Sequence, residues 1–194
     1  MNKLKKNIYF ILNIYTVLYN YALLIYKKVQ YKSYPKINGK LFIRGQGKII
    51  LGNNTIFNSS SSANPIGGDV RMVFNTKQNA IIEIGDNTGI SNSTIICHEK
   101  ITIGSYVKIG GSVKIYDTDF HSLNADLRMN TKTDIPITKP IIIKDFAFIG
   151  AHSIILKGVT IGNKSIIGAG SVVTKSIPDD EIWAGNPAKF IKKI

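Results

Sequence analysis

The sequence predicts an all-β chain: a parallel β-helix of hexapeptide repeats, preceded by an N-terminal α-helix. Three observations predict it. From Ile143 to Ile177 a β-branched aliphatic residue returns at every sixth position: Ile143, Ile149, Ile155, Ile161, Ile167 and Val173. Three of these are followed at once by glycine, at Gly150, Gly162 and Gly168. Four positions after each leader stands a mostly small or β-branched residue: Ala147, Ser153, Val159, Ser165, Ser171, Ile177. A helix repeats every 3.6 residues and a strand every second, so a sustained period of six fits neither. It fits coils in which each hexad makes one short strand and one turn, and three hexads close one coil. The leading aliphatic then points inward, and coils stack at ~4.8 Å so that like residues form ladders.

The totals allow one domain with a real core and an appendage. Hydrophobic residues make 44% and charged residues 19% of 194, which excludes both a disordered and a wholly membrane-embedded chain. A net charge of +13 admits a nucleic acid, an anionic membrane surface or an anionic small ligand as partner. Lysines are scattered, with clusters only at the two chain ends, rather than gathered with aromatics on one element, and that argues against nucleic acid. The single cysteine, Cys97, excludes an intrachain disulfide framework and fits a reducing compartment.

Residues 1–30 form a first unit. Ile8 to Tyr26 is an apolar run interrupted by Asn13, Thr16 and Asn20, with Lys3, Lys5, Lys6 before it and Lys27, Lys28 after it. On a helix the three polar residues make one narrow stripe. No small-residue cleavage site supports a signal peptide. A spanning helix of this length is marginal, and two Asn oppose it. An interfacial helix wants aromatic and lysine edges, which Tyr9, Tyr15, Tyr19, Tyr21 and Tyr26 supply. Packing on the protein itself or on a neighbouring subunit is the remaining reading.

The β-helix occupies 37–177. Ile37, Ile43 and Ile49 begin the beat, and Leu51-Gly52 shifts its phase. Asn58 to Gly68, rich in Ser, Asn and Gly, reads as an excursion. Val70–Val73 and Ala80–Ile84 read as strands about a turn. Ile84, Ile90, Ile96, Ile103, Ile109 and Ile115 resume the beat, and the seven-residue step from Ile96 to Ile103 predicts a bulge near Cys97-His98-Glu99-Lys100. A polar insertion, 117–140, then interrupts the repeat, and loops of that kind are usually functional. Residues 178–194 close the domain: a turn at Pro178, an extended Ile182–Pro187, and a basic end expected as a short helix or tail.

These residues resemble a known family. The hexads, the loop Asp117-Thr-Asp-Phe-His121 and the closing Gly168-Ala-Gly-Ser-Val-Val-Thr-Lys175 with Ala184-Gly-Asn-Pro-Ala-Lys189 are similar to the left-handed β-helix acyltransferases. The nearest branch is the sugar and polysaccharide O-acetyltransferases related to galactoside and maltose acetyltransferase. The likeness covers 80–194 well and 37–79 loosely, and leaves 1–30 out. It implies left-handed coiling, a homotrimer, acetyl-coenzyme A as donor and a glycan acceptor.

Acetyl transfer to a sugar hydroxyl needs a base, and a positioned imidazole suits it. Of three histidines, His121 lies in the insertion, close to Asp119 and Asp117, either of which could fix its tautomer. The resemblance also places the catalytic histidine in this loop and matches Arg128. Asn92, His98, Arg128 and Phe148 are the candidates for touching the acceptor. His152 falls at an outward turn and reads as structural. Spacings of 23 and 31 residues between the histidines do not suit a zinc site, so no metal is expected. Cys97 reads as a structural thiol, so direct transfer in a ternary complex is expected. For the donor the resemblance implies a groove between subunits, with Gly150, Ala151, Gly168 and Ala169 along the pantetheine arm. It sets Thr174 and Lys175 near the diphosphate and adenine, and Lys189 and Lys192 near the 3′-phosphate. The donor and the lone thiol point to the cytoplasm, with 1–28 able to hold the domain peripherally on an anionic inner membrane face. An amino-sugar N-acetyltransferase and a non-catalytic β-helix scaffold are the alternatives.

Overall fold

The structure is a computed structural model that describes residues 3–67 and 71–194, with side chains in the first helix described from Asn13 onward. The expected strand start at Val70, and the side chains of Lys3, Lys5, Lys6 and Tyr9, lie outside the described residues.

The chain winds into a three-sided parallel β-helix behind one long helix, α1 (Lys3–Tyr26). Face A stacks Gln30–Tyr31, Lys48–Leu51, Ile81–Ile84, Lys100–Ile103, Ile141–Ile143 and Thr160–Ile161. Face B stacks Lys36–Gly39, Ile56–Ser59, Gly89–Ser91, Lys108–Ile109, Phe148–Ile149, Ile166–Ile167 and Glu181–Ala184, ending with Lys189–Lys193. Face C stacks Phe42–Gly45, Val73–Thr76, Thr94–Cys97, Lys114–Tyr116, Ile154–Ile155 and Val172–Val173. The registers Ile143↔Ile161, Ile149↔Ile167 and Ile155↔Val173 are each three hexads apart, so the expected coil length holds in the C-terminal half.

Those six leaders are all buried, as are the small residues four positions on. Serine at the second position is tolerated because its hydroxyl finds a carbonyl at the corner: Ser153 donates to Gly168 O at 3.1 Å, and Ser165 to Pro178 O at 2.6 Å. Cutting one leader back, as in Ile149→Ala, costs about 2–5 kcal/mol.

The beat is off by one in the third coil. Ile95, not Ile96, points inward, because the strand Thr94–Cys97 alternates from Thr94 outward to Cys97 inward. The inward ladder therefore steps by five from Ile90 to Ile95, through a shorter corner at Asn92, and by eight from Ile95 to Ile103, so the extra residues lie at the Cys97-His98-Glu99-Lys100 corner where the bulge is expected. Face A strands of four residues also contribute two inward side chains each, such as Ile49 with Leu51, which shifts the phase noted there.

Both ends of the stack are covered, as exposed strand edges require. At the N-terminal end Asn20 donates to Gly39 O at 2.8 Å and accepts from Leu41 N at 3.0 Å, while Tyr19 reaches Leu41 O. Leu24 is buried beside them. The polar stripe of α1 thus turns toward the protein at Asn20, and Ile14, Val17, Leu18, Tyr21 and Ile25 are exposed on the outside. At the other end the basic segment is a strand, not the expected helix or tail. Gly185, at φ +103°, lets the chain reverse, so Lys189–Lys193 pairs antiparallel with Glu181–Ala184 and Phe190 packs edge-on against Trp183.

Candidate active site

The 117–140 insertion leaves the prism at the edge where face C turns into face A. Asp117 anchors its root. This fully buried carboxylate accepts the backbone N–H groups of His98 at 2.7 Å and Glu99 at 2.8 Å, one rung earlier on the same edge. Thr138 Oγ1 donates to Glu99 at 2.8 Å, and Lys157 Nζ lies 2.8 Å from Asp119 Oδ1. Inside the loop a single turn, α2 (Ala125–Arg128), is capped by the Asn124 side chain. Arg128 Nη1 donates to Ser122 O at 2.8 Å, bracing the segment that carries His121.

On this frame His121 Nδ1 sits 2.7 Å from Asp134 Oδ2, and the other Asp134 oxygen accepts Ser122 N–H at 2.7 Å. The His121 hydrogen bond first, and the Ser122 N–H next, hold the Asp134 carboxyl below its usual range. Ionised Asp134 can only accept, so in the neutral imidazole the proton is on Nδ1 and Nε2 keeps its lone pair. The His121 side chain is 67% exposed against 15% for Asp134, so the imidazole faces outward from a fixed support. The carboxylate paired with the His121 ring is therefore Asp134, where sequence proximity points to Asp117 or Asp119. Asp117 is spent on two backbone donors, and Asp119 on Lys157.

His98 joins this edge. Its ring lies 6.1 Å from Phe120, which lies 5.2 Å from Tyr116. Burial first, and Lys77 next, hold its pKa below the usual imidazole range. Cys97 is fully buried, with its thiol against Ile81 O and Asp117. Burial and the Asp117 charge push that thiol well up, which is the opposite of an activated nucleophile.

The other candidates lie elsewhere. Gly150, Ala151, Gly168 and Ala169 stack on the edge between faces B and C, beside an exposed His152. A side chain at Gly150 would meet Ala169 N at 2.5 Å, so glycine there lets adjacent coils close up. Asn92 is on the same edge but is fully buried, with Gly67 seated over it, so it is not presented to an acceptor as expected. Phe148 is half-exposed on face B, lining a groove of about 270 Å³ with Asn58, Ser91 and Lys108. Thr174 and Lys175 follow face C at the last coil, and Lys189 and Lys192 stand on the terminal strand of face B. Within one chain the face-C wall separates the small-residue edge from His121. Sequence reasoning missed Asp134, since four aspartates fall between 117 and 134 and spacing gives no reason to prefer the last.

Comparison with known proteins bears on this arrangement. The family described as bacterial transferase hexapeptide (six repeats) matches residues 140–175. A galactoside O-acetyltransferase from Lactococcus lactis is 40% identical over 103 residues, covering 53% of this chain and 48% of that protein. The chain spans about half the length of the curated relatives it matches. The crystal structure of a hexapeptide-repeat acetyltransferase from Vibrio cholerae, complexed with acetyl-coenzyme A, superposes with a TM-score of 0.53 at 28% identity, over 82% of this chain and 70% of that one. A mutant of AntD, an N-acyltransferase from Bacillus cereus, in complex with dTDP and coenzyme A, gives a TM-score of 0.66 at 25% identity over 86% of each chain. Residues 140–175 match the bacterial transferase hexapeptide repeat, the fold is a left-handed parallel β-helix, and the chain is similar to the hexapeptide-repeat acetyltransferases.

Proposed function

We propose that the protein is an acetyl-coenzyme A-dependent O-acetyltransferase acting on a sugar hydroxyl of a surface polysaccharide or lipid-linked glycan precursor. The observation that carries this reading is the His121–Asp134 pair, an oriented imidazole on a braced loop beside a regular scaffold. His121 Nε2 takes the hydroxyl proton as the oxygen attacks the thioester carbonyl carbon. The carbon–sulfur bond then breaks, and the proton passes from His121 to the departing thiolate. Asp134 holds the tautomer and stabilises the imidazolium between those steps. Cys97 takes no part.

The small-residue edge Gly150, Ala151, Gly168 and Ala169 suits a long, narrow arm, since backbone amides are accessible where side chains are absent. Lys175, Lys189 and Lys192 at the same end suit phosphates. Because this edge and His121 lie on different edges of one prism, the site is completed by a second copy, which supports a homotrimer. Ala169→Trp and His121→Ala chains, each inactive alone, should regain partial activity when co-assembled; no recovery would place the whole site in one chain.

The outer face of α1 supports peripheral attachment to an anionic membrane, with Val17, Leu18 and Ile25 outward and Lys27 and Lys28 at its end. No helix among the described residues is long and apolar enough to cross a membrane. Replacing Val17, Leu18 and Ile25 by serine should abolish pelleting with phosphatidylserine vesicles; unchanged pelleting would remove the idea.

The test of the reading is mass spectrometry of glycans incubated with acetyl-coenzyme A. An added acetyl that leaves under mild alkali is an ester, whereas an alkali-stable one makes the protein an amino-sugar N-acetyltransferase. If no glycan is acetylated, thermal shift decides whether the chain is a scaffold. Coenzyme A at 100 times its dissociation constant stabilises by about 2.7 kcal/mol, and a scaffold would show no shift.

A further inference from the structure

The charge of this protein is not spread along it. Residues 1–68 hold ten of the twenty-five Lys and Arg and none of the twelve Asp and Glu, so +10 of the net +13 sits in the first third. In that region a cleft of about 690 Å³ opens between the C-terminal end of α1 and the first two rungs of the edge joining faces C and A. Its walls carry Lys27, Lys28 and Lys48 together with the side-chain amides of Gln46, Gln78 and Asn79, and no carboxylate. Lys27 is committed to Gly45 O at 3.1 Å. Lys28 and Lys48 form no ion pair among the described residues and are exposed.

The cleft is collinear with the reactive loop. Going up the same edge, the corners come in the order 46–47, 77–80, 98–99 and then 117–140, each bonded to the next: Lys48 N to Ala80 O, Ile81 N to Glu99 O, and His98 N and Glu99 N to the Asp117 carboxylate. Two rungs, about 10 Å, separate the upper wall of the cleft from the root of the loop. Lys77 stands on the upper wall's own corner, close enough to His98 on the next rung to help hold its pKa down. The carboxylates of Glu99, Asp117, Asp119 and Asp134 on this edge each hold a partner in the protein, while Lys28 and Lys48 at its lower end form no ion pair among the described residues. Amide side chains bond hydroxyls, and unpaired lysines bond carboxylates, so the pattern suits a sugar bearing negative charge.

We propose that this cleft binds an anionic segment of the glycan acceptor, holding a charged polymer along the edge so that a hydroxyl further on reaches His121. The inference rests on the glycan-acetyltransferase reading and names its substrate class: an acidic glycan rather than a neutral one.

The full chain and a Lys28→Gln/Lys48→Gln variant are titrated calorimetrically with an oligogalacturonate and with a malto-oligosaccharide of the same length, and both are assayed for acetyl transfer. The anionic oligosaccharide should bind the wild type more tightly than the neutral one. The double substitution should weaken that binding tenfold or more, roughly the worth of one charged hydrogen bond, and raise KM for the anionic acceptor with kcat nearly unchanged. Equal binding of the two oligosaccharides, or binding untouched by the substitutions, overturns the proposal. So does loss of phosphatidylserine-vesicle binding in the variant with no oligosaccharide binding by the wild type, since the cleft would then serve lipid headgroups. Anionic binding without transfer to any glycan keeps the cleft and removes the acetyltransferase reading. Transfer with no preference for charge keeps that reading and removes the cleft.

Discussion

Asp134 Oδ2 lies 2.7 Å from His121 Nδ1, thirteen residues away along a loop with little regular structure. The same carboxylate accepts Ser122 N–H at 2.7 Å, so one side chain fixes both the imidazole and the backbone beside it. Asp134→Asn keeps the shape and removes the charge. Supporting partners of this kind are worth about 10–100-fold in activity, and kcat is expected to fall by that much with coenzyme A affinity unchanged. Asp119→Asn, which breaks a pair with Lys157 instead, is expected to leave the pH profile of kcat unmoved. Steady-state thiol release reads both, and equal effects would return Asp119 to the base.

Asp117 is structural. It is buried and holds two backbone N–H groups at the root of the insertion. Asp117→Ala leaves both unpaired and is expected to cost about 3 kcal/mol, read as a lower midpoint in denaturant. A variant as stable as the wild type would mean that the loop root is held by other contacts.

Cys97 is sealed in the core and its thiol is pushed up by burial, so the native protein should resist alkylation by iodoacetamide until it unfolds. Cys97→Ser should retain most of the activity. A stoichiometric acetyl-thioester on Cys97 during turnover would falsify direct transfer.

Acid sensitivity follows from the carboxylates at the A–B corners. Asp179 is held at about 2 by the Asn163 side chain and then by Lys144, and Asp86 is held down by Asn53 N–H. Their folded values lie below the unfolded value of about 3.9, so the folded state binds fewer protons. Their contribution is complete above about pH 4 and is lost as pH falls toward 2. Thermal melts across that window should decline, and Asp179→Asn should flatten the decline. An unchanged acid limb in that variant would discharge Asp179.

The six leaders from Ile143 to Val173 were legible because each hexad repeats one physical rule, and the same rule places Ser153 and Ser165. Ile96 misled because it is as apolar as Ile95, and only the shorter corner at Asn92 decides which points inward. The C-terminal strand was hidden by its lysines, which stand on an open edge where charge is no obstacle. The candidate site was legible as far as the His121 loop, since that loop interrupts a regular pattern. Asp134 was not, because its meeting with His121 depends on α2 and the Arg128 brace rather than on spacing. The direction of α1 was also not legible. Its polar stripe could face lipid or protein, and bonds from Asn20 to Gly39 and Leu41 settle it for the second.

The most direct test of the central claim is single-turnover acetyl transfer from acetyl-coenzyme A to an acetylated glycan's parent by wild type and His121→Ala. With His121 as base, the variant should bind coenzyme A normally and transfer roughly 10²–10⁴-fold more slowly. Transfer by His121→Ala at a near-normal rate would contradict the account and move the base to another residue.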